Sequence, residues 1–342
     1  MKKQEEVQKC FIGIDVSKLT IDVSIITNDG EHVYEAFGNN PKDFKQMEIW
    51  LKKRKSFNYR SALFCMEHTG LYTRELVSFL MQKQANVWME SALHMKKSMG
   101  LTRGKTDKVD SFRIARYAMT NSDMAILVKL SNVTLQKLKD LVSNRERLSR
   151  CIIKLKIAQD EFARVDKKLG RELKKINAPA MKGLKKSKAQ VEKRMLELIN
   201  ADAELKRLFD LVTSIKCVGN VLATELLVYT DGFTRMQNNR QLACYCGVAP
   251  FEHSSGTSVR GRTRTSNFAN MRLKSTLHMA AISACHYVPD LKKYFERKVA
   301  EGKNKMTVIN AIRNKLLHRV VAVVNRGTPY VENYNNLNLE RS

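Results

Sequence analysis

Apolar residues recur every seven positions through the middle of this 342-residue chain. Leu141, Leu148, Leu155, Phe162 and Leu169 form one run, and Leu184, Val191, Leu198, Leu205 and Val212 a second. A seven-residue repeat with polar residues between is what long helices need to bury a narrow seam against each other. Between the runs, Asn177-Ala178-Pro179-Ala180 and Gly183 predict a break, because an interior proline removes a backbone donor and clashes with the preceding turn. The expectation is an antiparallel coiled-coil hairpin over 130–212 with its tip near 177–183. Such a hairpin divides the chain, and its length suits two or three domains.

Before the hairpin the pattern is α/β. Cys10 to Asn28 reads as two strands, with Phe11, Ile12 and Ile14 leading to Asp15 and then an alternating Ile21, Val23, Ile25. Asp29-Gly30 signals a hairpin turn into a third strand from His32 to Phe37. Pro41 opens a helix to about residue 53, Ser61 to Met66 forms a buried strand ending at Glu67, and a helix covers about 72–84. Ala85 to Met89 is a further strand, 92–106 becomes basic and loop-like, and a helix starts near Thr106 or Asp107. Three consecutive strands followed by strands alternating with helices place an α/β domain at 1–125.

After the hairpin, 213–330 reads as a compact helical domain, with helices near 269–287, 289–300 and 305–326 and a tail at 331–342. Val218-Gly219-Asn220 resembles a helix-hairpin-helix turn, which would offer backbone N–H groups to phosphate. Residues 253–267, HSSGTSVRGRTRTSN, are polar and basic.

Charge narrows the partner. The formal net charge of +27 calls for a polyanion, nucleic acid before an acidic membrane surface. A hydrophobic content of 43% excludes a disordered basic tail. Residues 164–194, at the expected hairpin tip, hold twelve Lys/Arg against three acids, among them Lys174, Lys175, Lys185 and Lys186. No run reaches the roughly 18 apolar residues of a spanning helix, and MKKQEEVQKC does not read as a signal peptide. Seven scattered cysteines suit reduced thiols in a cytoplasmic protein. Cys244 and Cys246 lack the partners a zinc site needs.

Four acids stand where chemistry could be done. Asp15 and Glu67 end buried strands, and Asp107 and Asp110, three apart, share a helix face. Carboxylates from two strands and a helix form the arrangement of RNase H-like nucleases, in which paired Mg²⁺ ions need hard oxygen ligands. Taken singly, each acid also has a plain role: helix cap, dipole partner or solvated strand end. A second centre is Ser254-Ser255-Gly256-Thr257-Ser258-Val259-Arg260-Gly261, with Arg262, Arg264, Arg272 and Lys274 following and no acid from 254 to 274. By its residues alone this is a phosphate-binding loop or a nucleophile surrounded by cations, and the loop is the simpler of the two.

IGIDVSK at 12–18, CMEHTGLY at 65–72 and GLTRGKTDKVDSFRIA at 100–115 resemble the DEDD domain of a family of bacterial insertion-sequence transposases. CVGNVLATELL at 217–227, QLACYCGVAP at 241–250 and SSGTSVRGRTRTSNFANMRLKSTL at 254–277 resemble that family's second domain. The group is related to Piv-type DNA invertases and is understood as bridge-RNA-guided recombinases. The resemblance implies a RuvC-like, RNase H-like N-terminal domain, with Asp15, Glu67, Asp107 and Asp110 both catalytic and Mg²⁺-binding (Mn²⁺ as substitute). It implies Ser255 as the nucleophile that forms a phosphoserine link to DNA, although Ser254 and Ser258 are neighbouring hydroxyls. It further implies a composite site between protomers of a dimer or tetramer, donor and target DNA, and a structured non-coding RNA as partners. The protein would work in the bacterial cytoplasm, at the nucleoid when bound. Arg260, Arg262 and Arg264, with the four lysines above, are the expected nucleic-acid contacts. The competing expectation is a metal-dependent four-way-junction endonuclease with no covalent step.

Overall fold

A computed structural model describes residues 10–332 except 56, 69, 100–105, 129–131, 237, 256–258 and 266–267; the side chains of 97, 99 and 252–264 also lie outside the description. The chain forms two compact units, Met1–Leu130 and Ser131–Ser342.

The first unit is built on a five-stranded mixed sheet. Its elements are β1 (Cys10–Val16), β2 (Thr20–Thr27), β3 (His32–Gly38), α1 (Pro41–Lys52), β4 (Ala62–Glu67), α2 (Arg74–Gln82), β5 (Asn86–Glu90), α3 (Ala92–Met99) and α4 (Asp107–Thr120). The order is β3-β2-β1-β4-β5. β1 pairs antiparallel with β2, and β2 with β3, while β4 runs parallel to β1 and β5 to β4. A tight hairpin makes the first pairing natural, and the crossover helices make the parallel ones. One sheet face holds Ile12, Ile14, Ile21, Val23, Phe64 and Met66 against the side of α1 and α2 that carries Phe44, Met47, Leu76 and Leu80. The other face holds Phe11, Leu63, Cys65 and Trp88 against Ile114, Tyr117 and Ala118 of α4. Both faces are covered, which explains why β1 and β4 read as nearly continuous apolar runs.

Gly13 sets how closely α4 can lie on the sheet. A methyl group there would come within 2.1 Å of the Ala115 backbone nitrogen and 2.2 Å of the Ser111 carbonyl oxygen. No side chain fits between β1 and α4. Ser24 and Ser111, both fully buried, bond across the same junction at 2.9 Å.

The second unit starts with two long helices, α5 (Val133–Val165) and α6 (Lys167–Asn200). Here the sequence expectation is corrected. The reversal falls at Asp166, and 177–183 is helical, with Pro179 inside α6. Asp166 is extended and caps α6 by accepting from the N–H groups of Lys168 and Leu169. One turn on, a methyl group at Gly170 would strike Ala163 at 2.5–2.8 Å, so only glycine lets the helices turn back so tightly. Pro179 is tolerated because the carbonyl it deprives of a partner, that of the exposed Lys175, is on a solvated turn. Arg145 and Glu192 bridge the two helices at 2.6 Å, which fixes them as antiparallel. A second correction follows. The basic stretch, 164–194, starts at the reversal and continues along most of α6 instead of being gathered at a tip near 177–183. Leu205 and Val212, assigned by spacing to the second heptad run, belong to a separate helix, α7 (Ala203–Thr213).

The remainder comprises α8 (Asn220–Tyr229), α9 (Asn239–Tyr245), β6 (Pro250–Ser255), β7 (Val259–Thr265), α10 (Met271–Tyr287), α11 (Pro289–Ala300) and α12 (Lys305–Arg326). The base of the helical hairpin (Leu135, Leu138, Val142, Met195, Ile199) shares one core with α7, α8, α10 and α12. This unit is therefore not purely helical. The serine-bearing segment, expected as a loop, is a two-stranded antiparallel hairpin with an irregularity between Phe251 and His253. Tail residues 333–342 lie outside the described residues.

Candidate functional site

The four acids sit at one end of the first unit's sheet. Asp15 is the penultimate residue of β1, on the α4-facing side that also carries Phe11. Glu67 ends β4 on the same side as Leu63 and Cys65. The parallel register pairs Ile14 with Met66, so Asp15 and Glu67 follow one step later on neighbouring strands. Close packing of α4 over Gly13 brings the helix start, with Asp107 and Asp110, to this strand end. Thr106, not Asp107, caps α4 by accepting from the Val109 N–H at 3.3 Å, which leaves the Asp107 carboxylate outside the cap.

The electrostatics of Asp15 register this convergence. Its pKa is pushed up to about 6, first by burial and then by the charges of Asp107, Asp110, Glu67 and Asp22. A carboxylate among carboxylates resists ionisation unless a cation is supplied. Asp110 is partly neutralised by Arg113 at 3.0 Å. Among the described residues, no three His, Cys, Asp or Glu side chains stand close enough to hold one metal ion. The all-oxygen character of the acids nonetheless suits a hard divalent cation.

Asp22 belongs to this centre and was missed by sequence reasoning. It lies directly across β1–β2 from Asp15, is 7% exposed, and accepts from the Tyr34 hydroxyl at 2.5 Å. Its bond raises the Tyr34 pKa to about 12, and Lys108 lies over the Tyr34 ring. Asp22 lies between buried Ile21 and Val23, on the opposite face from theirs, which alternation alone assigns to solvent.

In the second unit, Ser255 is the last residue of β6, opposite Val259, and Ser254 is opposite Arg260. Arg260, Arg262 and Arg264 take alternate positions of β7; their side chains lie outside the described residues. The hairpin is rooted by Asn270, whose N–H donates to the Tyr245 carbonyl at 2.8 Å and whose side-chain amide donates to the Tyr245 hydroxyl at 3.2 Å. Lys274 Nζ donates to Thr265 Oγ1 at 3.0 Å. Arg272, counted in the sequence among the cations around the serine, is not available to phosphate. Its guanidinium donates to Glu225 at 2.7 Å, to the Val142 carbonyl at 2.9 Å and to Glu146. Glu225 is 1% exposed, so Arg272 ties the start of α10 to α8 and α5 through a buried ion pair.

Lys174, Lys175, Lys185 and Lys186 are exposed on α6. Gly219 caps α8 with no side-chain bond. All seven cysteines are free, and burial pushes the Cys246 thiol up to about 12, leaving it protonated and inert. No helix among the described residues is long and apolar enough to cross a membrane.

Two family models match successive parts of the chain, the first running past the boundary between the two units. Residues 12–161 match the DEDD transposase model of the IS110 group, and residues 209–296 match the transposase model of the IS116/IS110/IS902 family. The pilin gene-inverting proteins of Moraxella lacunata and Moraxella bovis are each 28% identical over 326 residues, covering 94% of this chain and 98% of theirs. An uncharacterized 43.6 kDa protein of insertion element IS110 from Streptomyces coelicolor is 31% identical over 140 residues, 41% of this chain and 34% of that one. Both units thus match a single group, in sequence order, and the chain belongs to the IS110-type family of DNA transposases and invertases.

Proposed function

We infer that this transposase cuts and rejoins DNA through a covalent link to Ser255, assisted by the acidic centre of its first unit, which has the strand order expected of an RNase H-like domain. The observation that carries the reading is the set of five acids at one sheet end, where burial first and then the charges of the other four push the Asp15 pKa up to about 6. Carboxylates gathered and partly buried in this way, with like charges around them, are characteristic of centres that take up a cation for phosphoryl transfer. Asp15, Glu67, Asp107 and Asp110 would hold Mg²⁺ or Mn²⁺, which when bound neutralises charge on the reacting phosphate. The Ser255 oxygen would attack phosphorus, a phosphorus–deoxyribose oxygen bond would break, and the serine proton would pass to the departing oxygen or to solvent. Reversal on a second strand end would rejoin DNA and free the serine. Arg260, Arg262 and Arg264 stand beside this residue in sequence, as stabilisation of a phosphorane-like transition state requires.

Two parts of the reading rest on family membership and charge. A structured RNA would supply the base pairing that selects donor and target, leaving the protein to grip backbones; exposed lysines on α6 suit that work. Assembly as a dimer or tetramer is supported by apolar side chains left open along the distal hairpin: Ile153 (54% exposed), Ile157 (51%) and Phe162 (49%). The site of action would be the bacterial cytoplasm, at the nucleoid.

The deciding experiment combines purified protein, the structured RNA from the flank of its own element, both DNA sites and Mg²⁺. Wild type is expected to exchange strands and to leave a protein–DNA adduct on denaturing gels. Ser255→Ala is expected to lose both. Exchange by Ser255→Ala at the wild-type rate refutes the nucleophile, and four-way-junction nicking without any adduct would favour a junction endonuclease.

A further inference from the structure

Near the root of the β6–β7 hairpin, α12 buries a guanidinium that has no carboxylate partner among the described residues. Arg313 is 6% exposed. Its polar contacts are His278 Nδ1, 2.5 Å from Nη2, and Asn310 Oδ1, 3.4 Å from Nη1. Its Nε–H is buried with no acceptor. No acid moves its pKa, which burial alone drives down. Because an arginine stays charged even so, this is a buried cation without a counter-charge among the described residues, a costly arrangement unless an anion completes it.

The surroundings say where the anion would come from. His278 lies one helical turn beyond Lys274 on α10, so the two share a face. Lys274 reaches Thr265 at the end of β7 and passes within 3.3 Å of the space beside Gly247, which adopts φ +65°. Asn310, one turn before Arg313, donates to the carbonyl of Val248, two residues ahead of β6. Lys274, His278 and Arg313 thus line the root of the serine-bearing hairpin, and none of them forms an ion pair among the described residues. Since Nδ1 of His278 accepts from Arg313, its proton must sit on Nε2. Among the described residues the cluster therefore offers donors and no acid.

The geometry points to a phosphodiester seat at this root: Arg313, His278 and Lys274 hold one backbone phosphate of the bound nucleic acid, apart from the phosphate at Ser255. The seat would anchor the strand against the helical body while the hairpin above handles the reacting group. It draws on the family's action on DNA but not on the serine mechanism, and its test needs no strand exchange.

Two variants decide it. Arg313→Met replaces the unpaired cation with an apolar chain of similar length. His278→Asp supplies the missing counter-charge from within, and so keeps Arg313 satisfied should the first variant fold poorly. Thermal unfolding in chloride buffer is expected to show both at least as stable as wild type. Inorganic phosphate at constant ionic strength is expected to raise the wild-type midpoint more than either variant's. Binding to a 30-base-pair duplex and to a 30-nucleotide single-stranded RNA is then measured across salt. Each variant is expected to bind about ten-fold more weakly to one of them, with log K against log[salt] shallower by about one for that polymer. The polymer that loses the slope identifies the source of the phosphate. Unchanged affinity and slope on both, for whichever variants fold, overturns the seat, as does an equal response of variants and wild type to phosphate.

Discussion

At the scale of single residues, Asp15 makes the most definite statement about pH. Its folded-state pKa of about 6 lies above the unfolded value near 4. The folded protein therefore holds the extra proton between those limits. The stabilisation this brings is complete below about pH 4 and is lost as pH rises through about 6. Asp15→Asn removes the ionisation, and at pH 7.5 it is expected to be more stable than wild type by on the order of 1 kcal/mol, reduced from the full shift because the side chain is partly solvated. The advantage should vanish near pH 4. Mg²⁺ should raise the wild-type midpoint at pH 7.5 and leave that of Asp15→Asn nearly unmoved, while the variant recombines no DNA. Urea unfolding at the two pH values, with and without Mg²⁺, checks it, and a variant less stable at pH 7.5 refutes the crowding. The positions of Asp15 and Glu67 were legible because polar residues at the ends of apolar strands stand out, and those of Asp107 and Asp110 because they share the first turn of a capped helix. Asp22 was not, because a lone acid within an alternating strand reads as a solvent-facing position. Arg272 misled for the opposite reason: its place beside the serine block suggested phosphate, whereas its partners, Glu146 and Glu225, lie 126 and 47 residues away.

Elements were legible where periodicity and turn chemistry agreed. The strand–strand–strand opening, the capped α4 and the three final helices all fall near their expected bounds. The helical hairpin shows what happens when they disagree. Pro179 and Gly183 seemed a stronger stop than Asp166 and Gly170, because proline is judged by what it forbids. On an exposed helix the forbidden bond is replaced by water, whereas the Asp166 cap and the Gly170–Ala163 contact supply a turn that no other residues here can. The β6–β7 hairpin was missed because its strands carry serine, arginine and threonine and contain no apolar alternation. Moving the reversal to Asp166 has a consequence for assembly. Ile153, Ile157 and Phe162 now lie on the outer part of α5, within about four turns of the tip, exposed by about half. The Ile153→Lys/Ile157→Lys double variant should leave the monomer's unfolding midpoint almost unchanged, since surface sites tolerate such changes. It should shift the mass seen by light scattering from oligomer to monomer. A wild-type protein already monomeric at tens of micromolar with its nucleic acid, or a double variant of unchanged mass, rules out the outer hairpin as the contact.

For the molecule as a whole, the question is how a net charge of +27 is divided between holding nucleic acid and reacting with it. Correcting the hairpin spreads the basic stretch from a point into a line along α6. Lys174 and Lys175 are followed eleven residues later by Lys185 and Lys186, and eleven residues are almost exactly three helical turns. The two pairs therefore share one face about 16 Å apart, a spacing that lets them touch separate phosphates along one strand or across a groove. All four are exposed, and none forms an ion pair among the described residues. Replacing all four with Gln should leave the fold intact, since no packed group is removed. Each lysine that sits on a phosphate contributes about 0.9 to the salt slope on duplex DNA and about 0.7 on a single strand. The quadruple variant should therefore bind with a slope shallower by about 2–4 and lose most affinity below 100 mM salt. Single-turnover strand exchange at saturating protein should stay within a few-fold of wild type, in contrast to Ser255→Ala. Titrations over a range of salt concentrations, read beside that single-turnover rate, separate the two duties. An unchanged slope would move the grip off α6, and a collapse of the rate at saturation would show that the helix line acts on the reacting phosphate as well as on the backbone.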